Sequence, residues 1–157
     1  MAGQHIVVGV DGSDGGRRAL RWALEHAEPA DASVEAVMAW QREVNDAAMV
    51  GATIAMSDPE EERRRAETVL MNEIEDVVTA TGSTRVVTGS VILGMPATVL
   101  ADAAGQAYLL VLGSHGHGRL RHALLGSVTE ECIRQARCPV VVIPVPPEPS
   151  ANDQSLV

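Results

Sequence analysis

The chain has no lysine and no phenylalanine. All twelve of its basic residues are arginine. A Walker A phosphate loop needs its lysine, so that route to a nucleotide is excluded. Two tryptophans and one tyrosine are the whole aromatic complement. The core must therefore come from Val, Leu, Ile, Ala and Met, which suits a sheet covered by helices. The two cysteines, Cys132 and Cys138, make no disulfide framework and fit no metal spacing. They read as reduced, small apolar residues. Basic excess is missing too: a net charge of −9 and a pI near 4.9 argue against a nucleic-acid partner. No apolar run is long enough to span a bilayer, and no charged-then-apolar leader opens the chain. The expectation is a cytoplasmic protein with no membrane partner.

What is present is enough for a sizeable core. The 157 residues are 46% hydrophobic, most simply one domain over 1–145. Residues 146–157 are Pro-rich and polar, an expected flexible tail. Residues 5–10 are an apolar, β-branched run, expected as a buried strand. A Gly- and Asp-rich turn follows, with Asp11 or Asp14 available to cap a helix. Ala19, Leu20, Ala23, Leu24 and Ala27 fall on one helical face. Residues 33–40 read as a second strand, and 41–57 as a long connection. Asp58-Pro59, followed by Glu60, Glu61 and Glu62, opens a long helix. Its inward face should carry Ala66, Val69, Leu70, Ile74, Val77 and Val78, with Glu–Arg pairs outside. Strands are expected over 85–92, 108–112 and 139–143, and helices over 97–104 and 127–136. Strands apolar throughout and alternating with helices imply a parallel sheet covered on both faces. Ligands bind such sheets where the strand order reverses, here the loops after strands 1 and 4.

The loop after strand 4 carries the densest pattern. Gly113-x-x-Gly116 is followed, nine residues on, by Gly126-Ser127. Without a Cβ, Gly113 and Gly116 let a phosphate approach the backbone and permit φ > 0. Ser114, His115, His117, Gly118 and Arg119 belong to the same loop. Gly126 permits a second close approach, Ser127 offers a hydroxyl, and the N–H groups of Val128 and Thr129 face an anion on a helix dipole. Ser127 with Glu130 also fits a plain capping box, and cap and phosphate can coexist. His115 and His117 lack a third ligand, so a hydrogen bond to phosphate, or solvation, suits them better than a metal. Arg119 and Arg121 can pair with phosphates. Val140 reads as core.

This spacing, set between a strand and a helix, resembles the ATP-binding branch of the universal stress protein family. Ile6-Val-Val-Gly-Val-Asp-Gly-Ser13 is similar to that family's first strand and turn, and Val91-Ile-Leu-Gly-Met-Pro-Ala97 to its third-strand exit. The resemblance covers residues 4–144. It implies an α/β domain of the adenine nucleotide alpha hydrolase-like kind: a five-stranded parallel sheet, order 3-2-1-4-5, in three layers. It implies ATP, with Mg²⁺, as the bound cofactor. Asp11 would then contact the nucleotide or the metal, Gly9 would give room beside it, and the Ala39 backbone would face the adenine. It further implies a stress-response sensor that forms homodimers through edge strand 5 and acts on a downstream protein.

Enzymatic readings are narrower. Neither glycine cluster spells a dinucleotide fingerprint, and no Ser-His-Asp or Cys-His set stands at plausible strand ends. Phosphoryl transfer needs metal-binding carboxylates and a charge-stabilising cation, for which only Asp11 and Arg119 stand ready. Binding is therefore favoured, with a slow ATPase or autophosphorylating protein using Asp11 and the Ser127 and Thr129 hydroxyls as the alternative.

Overall fold

The structure, a computed structural model, describes residues 4–42, 58–117 and 125–146. The tail from 147, nearly all of the 41–57 connection, and Gly118, Arg119 and Arg121 lie outside the described residues. The element order is β1 (His5–Gly9), α1 (Asp14–Ala27), β2 (Ser33–Trp40), α2 (Pro59–Thr81), β3 (Val87–Leu93), α3 (Pro96–Ala103), β4 (Leu109–Gly113), α4 (Ser127–Gln135) and β5 (Val140–Ile143). All strand pairs are parallel and the sheet order is β3-β2-β1-β4-β5.

Alternating side chains explain why strands apolar throughout belong here. Ile6 and Val8 of β1 join Leu20, Leu24, Leu70 and Ile74 in one cluster, under α1 and α2. Val7, between them in sequence, joins Leu100, Leu110, Leu112 and Cys132 in a second, under α3 and α4. A strand buried on both faces has no polar side, so no period-2 pattern. Cys132 and Cys138 are free thiols. Burial pushes the Cys132 thiol up to about 11, which keeps it protonated and inert, as a small apolar residue should be.

Local chemistry sets the helix ends. Asp58 caps α2 by accepting the Glu60 N–H at 3.0 Å, and Pro59 opens the helix. Gly82 closes it at φ +65, its N–H donating to the Val78 carbonyl at 3.0 Å. Glu60–Arg63 and Glu61–Arg65 pair on the exposed face, as expected. Such solvated pairs contribute little stability.

The inward face of α2 differs from its expected composition. Leu70, Ile74 and Val77 are buried, but Val69 is 45% exposed. At about 100° per residue, Val69 lies a quarter-turn off the stripe centred on Leu70. The stripe position it leaves is taken by Glu73, which is only 1% exposed.

Candidate functional site

The sheet order reverses between β1 and β4, so the loops leaving their carboxyl ends diverge and open a cleft. The first of these is the turn into α1. Gly12 adopts φ +82, a conformation that favours glycine. An Asp11 Oδ1 accepts the Ser13 N–H at 3.0 Å and the Ser13 hydroxyl, closing an Asx-turn. Ser13 in turn accepts the Gly16 N–H at 3.3 Å and is the N-cap. The cap offered to Asp11 or Asp14 thus belongs to Ser13, and Asp14 is already helical. Asp11 is exposed, and its other oxygen, Oδ2, lies where a Cβ on Gly116 would collide with it.

The second loop follows β4. Neither Gly113 nor Gly116 takes a positive φ, contrary to expectation. Gly113 is needed for packing: an added Cβ would sit 2.7 Å from the Gly15 carbonyl carbon. His117 reaches back across the cleft, its Nε2–H donating to the Asp11 carbonyl at 2.7 Å. The Ser114 side chain is buried, and its carbonyl accepts the Gly126 N–H at 2.6 Å. α4 then begins at Ser127, as expected, and the cap falls one residue earlier than the capping-box reading places it. Gly126 is the N-cap, extended at φ −70 and ψ 156, without a side-chain cap hydrogen bond. Ser127 is already helical, so the Ser127–Glu130 capping box does not form; Glu130 pairs instead with Arg134 at 2.8 Å. The first-turn N–H groups of Ser127, Val128 and Thr129 therefore receive no side-chain partner from a cap.

Between the loops lies a cleft of about 230 Å³. Ala39, Pro96, Leu100 and Leu112 give the cleft apolar lining, and Asp11, Ser13, His115, His117, Ser127 and Thr129 polar lining. Gly9, Gly113, Gly116, Gly126 and Val128 complete the set that sequence reasoning named and the cleft brings together. Of the named residues within the described part, Ser114 alone is not on the wall; it supports it from behind. Val140 packs against the second core cluster, as read. Ser13, Gly16, Pro96, Leu100 and Leu112 also line the cleft and carry no sequence mark beyond helix-start or core chemistry.

Thr129 is buried, and its hydroxyl donates to the Gly113 carbonyl at 2.8 Å. It ties α4 to the end of β4 and is committed to that bond. Thr129→Val, which keeps the shape, is expected to cost about 1 kcal/mol in urea unfolding.

Glu73 was invisible to sequence reasoning. Its Oε2 accepts the Gly12 N–H at 3.0 Å, and its Oε1 has no hydrogen-bond partner among the described residues. Burial pushes its carboxyl up to about 7, with the Asp11 charge adding to the rise. The Gly12 hydrogen bond, Arg17 and His117 oppose it. A second missed cluster lies at the opposite end of the sheet, where β1–β2 register places His5 beside Ser33. His5 Nδ1 is 2.9 Å from the Ser33 hydroxyl and its Nε2 3.1 Å from Glu35. The cleft between the β1 and β4 loops does not include these residues.

The Universal stress protein family model matches residues 3–144. The chain belongs to the universal stress protein family. A universal stress protein of Mycobacterium tuberculosis is 30% identical over 158 residues, covering 92% of this chain and 49% of its own. Another from that organism is 31% identical over 150 residues, covering 95% and 52%. The chain thus spans about half the length of the curated universal stress proteins it matches. Among solved structures, a universal stress protein in complex with cAMP superposes with a TM-score of 0.66 at 26% identity, over 93% of this chain and 100% of that one. A Burkholderia pseudomallei member gives 0.63 at 27%, over 91% and 97%. A universal stress protein of Archaeoglobus fulgidus in complex with dAMP gives 0.54 at 23%, over 91% and 99%, a likeness of fold.

Proposed function

We propose that this universal stress protein binds ATP with Mg²⁺ in the cleft and acts as a nucleotide-dependent sensor or regulator in a stress response. One observation carries the reading: the N-terminus of α4, without a side-chain cap among the described residues, opens onto a cleft lined in part by apolar residues. Ala39, Pro96 and Leu100 suit a flat, apolar base. The N–H groups of Ser127, Val128 and Thr129, with the helix dipole behind them, suit phosphate oxygens. The cAMP complex of a similar universal stress protein supports an adenine nucleotide as the class.

The residues also fit a magnesium ion carried by the nucleotide. Among the described residues no three His, Cys, Asp or Glu groups converge as a metal cage. Mg²⁺ needs none, because it keeps waters and takes phosphate oxygens with one or two carboxylates. Asp11, exposed beside the cleft with Oδ1 held by Ser13, supplies one carboxylate. The bound ion would screen phosphate charge against that carboxylate. For the alternative of slow phosphoryl transfer, Ser127 is the better hydroxyl, since Thr129 is buried and bonded to Gly113. Sustained ADP release, lost in Asp11→Ala with binding retained, would select that alternative.

The half-buried β5 edge, Val140–Ile143, fits the homodimer contact. Open strand edges need cover. A native mass of two chains is the expected observation.

Calorimetry tests the site. Wild type should bind one Mg-ATP per chain. Asp11→Asn should weaken Mg-ATP by about tenfold or more, about 1.4 kcal/mol, and Mg-free ATP much less. Gly126→Val should abolish binding of both; unchanged affinity in Gly126→Val would show the site assignment to be wrong.

A further inference from the structure

We propose that Glu73 is a positioning residue for the cleft: from beneath, it holds the Asp11–Gly12 turn in its working conformation through the Gly12 N–H. The inference rests on the reading of the cleft as a nucleotide site and adds a residue from outside its wall.

Glu73 is not a surface residue of α2. It is 1% exposed, amid a stripe of Leu70, Ile74 and Val77. A carboxyl there is costly unless something specific is gained. Its Oε1 finds no hydrogen-bond partner among the described residues, so the polar group is not repaid within a network there. Its one hydrogen bond among the described residues is from the backbone N–H of Gly12, at 3.0 Å. Gly12 is the residue with positive φ in the turn, between Asp11 and the Ser13 N–H and hydroxyl that hold the Asp11 carboxylate. Room for the carboxyl is made by Gly16 in the first turn of α1: a Cβ there would sit 2.9 Å from Oε1. Helical glycine costs about 1 kcal/mol against alanine, so a second element gives up stability at the same place. From the cleft side, His117 holds the preceding peptide through the Asp11 carbonyl at 2.7 Å. The turn is thus gripped from both sides, and Asp11 is presented to the cleft between the two grips. The charged and titratable groups facing Glu73 are Asp11 on the turn, Arg17 on α1 and His117 on the β4–α4 loop.

Glutamine keeps an acceptor for the Gly12 N–H. Leucine and methionine keep the bulk and remove the acceptor. Affinity for ATP is to be measured by calorimetry in Glu73→Gln, Glu73→Leu and Glu73→Met chains, beside thermal midpoints. Glu73→Gln should bind within about threefold of wild type. The two apolar variants should bind at least tenfold more weakly while melting no lower, since they remove an unpaired buried oxygen. Methionine serves if the branched leucine does not fold. A structural role alone would make affinity follow the melting temperature. Hydrogen exchange at the Gly12 amide, without nucleotide, gives a separate reading: protected in wild type and Glu73→Gln, exposed in the apolar variants. Wild-type affinity in either apolar variant, or equal loss in all three, overturns the proposal. Should wild type itself bind no nucleotide, the reading of the cleft fails, and exchange at Gly12 alone decides whether Glu73 holds the turn; an amide unaffected by Leu or Met overturns that too.

Discussion

Gly113→Val is expected to lower stability by about 3 kcal/mol or more, enough to leave much of the chain unfolded. A Cβ at that position would lie 2.7, 2.8 and 2.9 Å from the carbonyl carbon, oxygen and Cα of Gly15. All three are backbone atoms in the first turn of α1, which cannot swing aside as a side chain would. A Cβ on Gly15 would in turn collide with the His115 carbonyl, so the two backbones approach closely at both points. Valine adds two further methyl groups to the same collision. Overpacking a core side chain costs about 1–3 kcal/mol; driving two backbones apart belongs at or above the upper end. At Gly126 the nearest atoms to an added Cβ are 3.3 and 3.4 Å away, and φ is negative. Gly126→Val should therefore fold, with a loss near 1 kcal/mol. Circular dichroism and thermal midpoints distinguish the two. The contrast matters for function: lost nucleotide binding in Gly113→Val reports a broken fold, whereas in Gly126→Val it reports the site. A Gly113→Val chain melting with wild type would contradict the close packing of β4 on α1.

The second large effect is a pH dependence of stability carried by Glu73. In the folded chain burial raises its carboxyl to about 7; unfolded, it returns to the ordinary glutamate value of 4.5. The folded state therefore holds its proton more tightly. Stability from that proton is fully present below about 4.5 and is lost as pH rises through about 7. A gap of that size corresponds to about 3 kcal/mol. Glu73→Gln removes the titration and keeps the shape. In urea unfolding, wild type should lose up to about 3 kcal/mol relative to Glu73→Gln between pH 4.5 and pH 8. Other groups titrate in both chains and cancel in the difference. Parallel profiles would mean that Glu73 is not buried as described.

Much of this fold is legible in the residues because its elements obey local rules. Residues 33–40 are apolar enough to read as a strand, and Asp58-Pro59-Glu60 announces a helix start. Alternation of such elements implies the parallel sheet, and the sheet's reversal between β1 and β4 marks the cleft before any motif is considered. What stayed hidden depends on contacts between distant parts. Glu73 sits among Glu and Arg residues in sequence, where a carboxylate reads as solvated; only the docking of α2 against the turn shows it buried. Gly113 reads as phosphate chemistry because the glycine spacing says so, while its Gly15 neighbour lies at the other end of the chain. Ser13 was masked by two flanking aspartates with equal capping chemistry. Gly126, the cap of α4, donates to the Ser114 carbonyl on the far side of the loop, a contact no local rule announces. His5 and Ser33 meet only through strand register.

The proposed function stands or falls with an adenine nucleotide in the cleft. Native mass spectrometry of the freshly purified chain tests it most directly. The expected result is an added mass matching ATP or another adenine nucleotide, one per chain, present in wild type and absent in folded Gly126→Val. A wild-type chain that carries no nucleotide and gains none on addition of Mg-ATP would contradict it.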